Sequence, residues 1–166
     1  MKITEEGVRK IQENIEKMKE DMRLLREEKL RAYNLTGDTW HDNPYFNKLE
    51  QDERALTKKI EEAQAILEEA ELIHEDGRRM EQVDIGSIVK CMCVYPDFEE
   101  SEIYEIVGEG ESDISSGKIH YQSPVAQNIM GLKVNGEVSF TTPAGLTKYQ
   151  ILKFYSSWEE AKADEQ

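Results

Sequence analysis

Apolar residues fall at Val8, Ile11, Ile15, Met18, Met22 and Leu25, separated by three, four, three, four and three positions. That alternation is the heptad seam of a coiled coil. It keeps a narrow apolar stripe on one side of an α-helix and leaves the other faces to water. Those faces here carry Glu, Lys, Arg and Gln. Thr4 suits the N-cap of the run, and Ile3 and Val8 then occupy the two positions of a hydrophobic staple. No proline follows until Pro44. A second run places Leu49, Leu56, Ile60, Ala63, Leu67 and Ala70 at helical spacing, with neither glycine nor proline between Tyr45 and Asp76. Each run is roughly 30 residues, or about 45 Å of helix. The short connection makes the two helices antiparallel neighbours. Residues 1–76 therefore predict an antiparallel two-helix coiled coil with an acidic tip loop at 34–44.

Composition agrees with a rod standing in water. Charged residues make up 34% of the 166 and apolar residues 38%, polar for a chain of this length wrapped around one thick core. The formal net charge of −14 argues against a general nucleic-acid binder, whose affinity comes from lysine and arginine on phosphates. It also argues against docking on an anionic membrane. No stretch is apolar enough to span a bilayer. The start, Met1-Lys2-Ile3-Thr4-Glu5-Glu6, has no signal-peptide core. A cytoplasmic protein without a membrane partner is expected. Cys91 and Cys93, two apart on a predicted strand, read as buried thiols of a reducing compartment. No zinc spacing, phosphate-binding glycine loop or nucleophile elbow occurs, so no tightly bound cofactor is expected.

Residues 81–157 have a different pattern. Ile85–Tyr95 is rich in β-formers, Glu102–Val107 alternates with period two, and Lys118–Gln122 is a third strand candidate. Ser123 can cap a short helix that has Pro124 at its first position and Gly131 as its stop. Glu137–Thr142 and Lys148–Phe154 flank Pro143-Ala144-Gly145 as a hairpin. The prediction is an α+β chain: the coiled coil, then a small sheet with one short helix, then an acidic tail at 158–166. Asp76-Gly77-Arg78-Arg79 is the expected hinge.

The tip reads Gly37-Asp38-Thr39-Trp40-His41-Asp42-Asn43-Pro44. A plain turn needs small polar residues and glycine, not an indole. Pro44 suits the first position of the second helix, which makes Asn43 its N-cap and leaves Asp38 and Asp42 free of that task. Paired carboxylates are oxygen ligands for Mg²⁺, but two of them complete a site only when other groups share the ion. They make sense as a half-site carried into another protein's active centre. Trp40 can stack on a base, fill a partner pocket, or fold back on Tyr45 or Phe46 to stiffen the tip. His41 can contact phosphate or relay a proton.

Several stretches resemble the bacterial GreA/GreB transcript-cleavage factors. These are the opening Ile3-Thr4-Glu5-Glu6-Gly7; Gly37-Asp38 followed by Asp42-Asn43; Ile106-Val107-Gly108-Glu109; Asp113-Ile114; Gly117-Lys118-Ile119; Ser123-Pro124-Val125-Ala126; and Thr142-Pro143-Ala144-Gly145. The resemblance implies an FKBP-like fold for the C-terminal domain. It implies an accessory factor, not an enzyme, that docks on RNA polymerase with Ser123 and Pro124 on the docking surface. The coiled coil then enters the secondary channel, where Asp38 and Asp42, with Asn43 beside them, share a Mg²⁺ with the polymerase and stimulate cleavage of backtracked RNA. The nascent RNA 3′ end is met only indirectly. Trp40 and His41 are expected to face the same partner.

The tip departs from the family pattern, which is glycine, aspartate, two residues, glutamate, asparagine. Here three residues separate the acids, the second acid is aspartate, and Pro44 follows. An alternative therefore stands beside cleavage: a secondary-channel regulator that binds polymerase without stimulating cleavage, and inhibits it. Two other classes are a prolyl isomerase, which the fold alone does not confer, and a plain coiled-coil adaptor.

Overall fold

The computed structural model describes residues 1–73 and 80–164, the side chains of Thr36 and Asp38 excepted. The expected hinge at 76–79 and the last two residues of the acidic tail lie outside the described residues. The chain divides into two compact units, one of Met1 with Glu6–Glu71, the other of Lys2–Glu5 with Leu72–Gln166.

The first unit is two long helices, α1 (Glu5–Thr36) and α2 (Pro44–Glu69). The heptad seam of α1 faces inward: Ile11, Ile15 and Met22 are buried, and Val8, Met18 and Leu25 are half-buried. On α2, Phe46 and Leu49 are buried, and Leu56, Ile60, Ala63 and Leu67 are half-buried. The outer faces are laced by pairs one turn apart, such as Arg9 with Glu6 and Glu13, and Arg23 with Glu20 and Glu27. Exposed pairs of this kind add only a few tenths of a kcal/mol each, about 0.3–0.5, so the seam carries the stability. Helix α2 ends at Glu69, short of the predicted reach to 76. Its backbone N–H cap closes from Ala70 to the Ile66 carbonyl, and residues Glu71–Ile73 become a strand, β2. Helical propensity continues past Ala70, but Ile73 packs into the core of the second unit.

The second unit holds a five-stranded sheet of order β5-β4-β3-β7-β6. Its strands are β3 (Ile88–Val94), β4 (Glu99–Val107), β5 (Lys118–His120), β6 (Glu137–Thr142) and β7 (Gly145–Tyr155). All neighbours are antiparallel except β4 and β5, which run parallel with Ile106 opposite Ile119. Strand alternation sorts the side chains onto two faces. Val89, Cys91, Cys93, Ile106, Tyr149 and Ile151 meet Ala126 and Ile129 of helix α3 (Pro124–Ile129). The other face, Ile88 with Tyr155, is covered by α4 (Trp158–Ala163) through Ala161 and Trp158. Cys91 and Cys93 are free and buried, and burial pushes both thiols up, Cys93 to about 12. That makes them core groups, since only a thiolate reacts.

Three features had no sequence signal. The first strand, β1 (Lys2–Thr4), pairs with β2. Thr4, expected as the N-cap of the first helix, stands directly before it at the end of β1, and its contact is the unsignalled part: the hydroxyl donates to the buried Glu111. Trp158, at the start of the expected acidic tail, donates its indole N–H to buried Glu105 at 2.5 Å, and Lys118 pairs with the same carboxylate at 3.2 Å. Gly117, at φ +77°, lies beside that indole. A Cβ there would stand 2.6 Å from the Ile103 carbonyl and 3.0 Å from Trp158.

Asp164, at the end of α4, accepts from the Tyr155 hydroxyl at 2.6 Å and from Lys90 and Lys153 at 3.1 and 3.3 Å. The Tyr155 hydrogen bond, then the two lysines, hold its carboxyl down to about 2. A carboxyl depressed on folding stabilises above its unfolded pKa and loses that contribution as pH falls through the folded value. Asp164→Asn is therefore expected to lower the melting temperature at neutral pH. Its gap from wild type should shrink below about pH 4 and close near pH 2, as thermal melts across that range would show.

Candidate functional site at the coiled-coil tip

The tip is built from the end of α1 and the start of α2. Helix α1 continues through Asn34, Leu35 and Thr36, residues expected to be loop. At Gly37, with φ +53°, the chain turns into a 3₁₀ segment, Gly37–Asp42, interrupted by non-helical backbone at Thr39 (φ −98°, ψ 15°). The tip is thus ordered by short helical hydrogen bonds where an irregular loop was predicted. The Asn43 N–H donates to the Trp40 carbonyl at 3.1 Å. Its side-chain oxygen accepts from the N–H groups of Tyr45 and Phe46 at 3.0 and 3.4 Å, capping α2 as the Asn43-Pro44 pair predicts. The Asn47 amide donates to the His41 carbonyl at 3.2 Å.

Trp40 folds back. Its ring lies 4.9 Å from Phe46, edge-on, and 6.1 Å from Tyr33, and it packs on the cluster of Ala32, Phe46 and Leu49. Of the roles open to an indole here, the inward, stiffening one is what the geometry gives. His41 is exposed, its ring centroid 3.4 Å from that of Trp40. Asp42 is exposed, and its carboxylate has no hydrogen-bond or ion-pair partner among the described residues. The side chain of Asp38 lies outside the described residues. Among the described residues no group of three or more His, Cys, Asp or Glu is arranged to hold a metal ion. A lone carboxylate is a fraction of an oxygen shell, and it fits Mg²⁺ only as one contributor to a shared site.

Cross-helix contacts just below the tip fix it in place. Glu53 of α2 accepts from Lys29 at 2.9 Å and Arg26 at 2.8 Å of α1, and these bonds, Lys29 first, hold its carboxyl below the usual range. Lys29 also lies 5.3 Å over the Phe46 ring, and the Tyr45 hydroxyl donates to Glu28. Periodicity names the seam residues but not their flanking partners, so Glu53, Tyr33 and Asn47 went unassigned, while Phe46 was named only as a surface for Trp40.

In the second unit Ser123 caps α3, its hydroxyl accepting from the Ala126 N–H at 3.2 Å, and Pro124 is exposed at the first position. Pro124 and Val125 border an open apolar cleft of about 400 Å³ whose other walls are Tyr95, Phe140, Pro143 and Tyr149. Phe140 and Tyr149 stack at 5.0 Å.

Residues 78–156 match the family described as transcription elongation factor GreA/GreB, C-terminal. The chain is 32% identical over 152 residues to the transcription elongation factor GreA of Thermoanaerobacter pseudethanolicus, covering 91% of this chain and 94% of that one. It is 34% identical over 151 residues to GreA of Clostridium perfringens, covering 90% and 93%. The structure of GreA factor homolog 1 of Thermus thermophilus aligns over 93% of this chain and 98% of its own, with 19% identity and a TM-score of 0.42. The class these relatives define is that of accessory factors of transcription. The chain belongs to the GreA/GreB family of transcription elongation factors. Among the described residues no helix is long and apolar enough to cross a membrane.

Capping gives Asn43 a structural task that can be measured apart from any other. Asn43→Ala is expected to cost about 1 kcal/mol in chemical denaturation, and Asn43→Asp close to nothing. Equal stability of all three chains would mean the cap is not what orders the tip.

Proposed function

We propose that the chain binds RNA polymerase through its C-terminal domain (81–157), passes the coiled coil of residues 1–76 into the secondary channel, and stimulates cleavage of backtracked RNA by the polymerase. The observation that carries this reading is Asp42: an exposed, unpaired carboxylate at the end of a stiff helical rod, in a family of transcription elongation factors. Helices of 26 and 32 residues give a rod of about 40–48 Å at 1.5 Å per residue, long enough to reach from a surface to a buried centre.

Phosphodiester hydrolysis proceeds in line, and a second Mg²⁺ supplies charge neutralisation and an activated water when it is bound. The part of this chain is to bring oxygen ligands and hold them still. Asp42, with Asp38 before it, offers carboxylates to the shared ion. Asn43 fixes the backbone behind Asp42 by capping α2. Trp40, Phe46 and the Glu53 cross-link stop the two helix ends from splaying. Pro124 borders the cleft through which docking is proposed, and Ser123 before it caps the helix that presents it. The partner is bacterial RNA polymerase; the tip reaches the centre that holds the RNA 3′ end, and meets that end indirectly, through the polymerase.

One observation favours the alternative of binding without cleavage. Non-helical backbone at Thr39 lies between the two acids, so no continuous helical turn sets the spacing of Asp38 and Asp42. A displacement of about 1 Å can cost on the order of 100-fold in rate. In that reading the rod fills the channel and blocks it.

With Mg²⁺ and a halted, backtracked complex, wild type is expected to accelerate release of 3′ RNA fragments. Asp42→Asn and Asp38→Asn are each expected to slow release on the order of 100-fold with polymerase affinity unchanged. No acceleration by wild type that still binds polymerase selects the blocking reading. Pro124→Asp is expected to weaken polymerase binding by about tenfold or more, since it places a charge at the edge of an apolar cleft. Unchanged affinity in a titration would remove that surface from the docking site.

A further inference from the structure

We propose that the exposed ring of His41, backed by Trp40, is a stacking platform for the nucleobase at the extruded 3′ end of the RNA. This rests on the reading that the tip reaches the centre that holds that end. The imidazole is held without any hydrogen bond of its own. Its main-chain carbonyl is fixed by the Asn47 amide at 3.2 Å, and the ring is set against the indole at a tilt of 36°, with centroids 3.4 Å apart. The indole in turn is wedged against Phe46 at 4.9 Å and Tyr33 at 6.1 Å. The outer face of the ring and both ring nitrogens have no partner among the described residues. An aromatic ring layered on a second, anchored ring loses little freedom when a ligand covers it, because its orientation is already fixed.

The neighbouring residue selects the ligand. Asp42, next in the chain, is an exposed carboxylate, and it repels a bare phosphate set beside it. A base brings a π-face and no charge, and stacking tolerates any base. The three residues between the acids thus have a use: Trp40 is the anchor and His41 the contact. Larger purine surfaces are expected to be held better than pyrimidines.

The test uses the full chain and an elongation complex backtracked by one nucleotide, with 2-aminopurine at the RNA 3′ end. Binding to polymerase is followed in the same titration by the anisotropy of a dye on the last residue. Wild type is expected to quench the 2-aminopurine, and His41→Phe to keep the quench. His41→Ala is expected to lose it at saturating protein, with polymerase binding and melting temperature unchanged. Equal quenching by His41→Ala, or no quenching by a wild type that binds polymerase, overturns the platform alone. No anisotropy change for wild type overturns the proposed function and the platform with it.

Discussion

Everything the tip can do depends on one contact, the packing of Phe46 and Leu49 of α2 against Ala32 and Leu25 of α1 with Trp40 laid over it. Two antiparallel helices that meet only along a narrow seam are free to slide and fray at their ends. The seam residues nearer the far end, Ile11 and Ile15, bury surface but say nothing of the turn. Phe46 sits one turn into α2, so the aromatic wedge fixes the helix ends at the point where Asp42 leaves them. The Glu53 cross-link to Lys29 and Arg26 adds direction, because a half-buried carboxylate held by two cations tolerates little sliding between the helices.

Much of this was legible in the sequence, and the reasons are physical. A three-four alternation can be satisfied by one structure, so the heptad seam and its inward residues were readable from spacing. The Asn43-Pro44 pair named its own cap. A run of β-formers named β3, a period-two run named β4, the turn at Pro143-Ala144-Gly145 named β6 and β7, and Ser123-Pro124 named the start of α3. What was not legible depends on distant partners. β1 and β2 are three residues each, too short for a period. The 3₁₀ form of the tip comes with the Trp40–Phe46 contact, which reaches across to the next helix and has no local signal. Helix α2 was read too long because nothing local breaks it at Ala70. Trp158 looked like the start of a tail because its partner, Glu105, lies 53 positions away.

The candidate site was legible as chemistry and not as geometry. Two aspartates, an indole and a histidine in one turn announced an unusual tip. Their division of labour appears only in three dimensions: Trp40 turned in, Asn43 turned to the helix, His41 and Asp42 turned to water. The tip keeps a compact, hydrogen-bonded form, with non-helical backbone at Thr39 between the two acids.

The most direct test is to locate the tip on its partner. Leu35, 86% exposed in the last turn of α1, can carry a photo-crosslinker without disturbing the seam. In a backtracked elongation complex the account predicts crosslinks to the polymerase secondary channel and to the RNA 3′ end. Crosslinks confined to the outer surface of the polymerase, in a complex that forms with normal affinity, would contradict it.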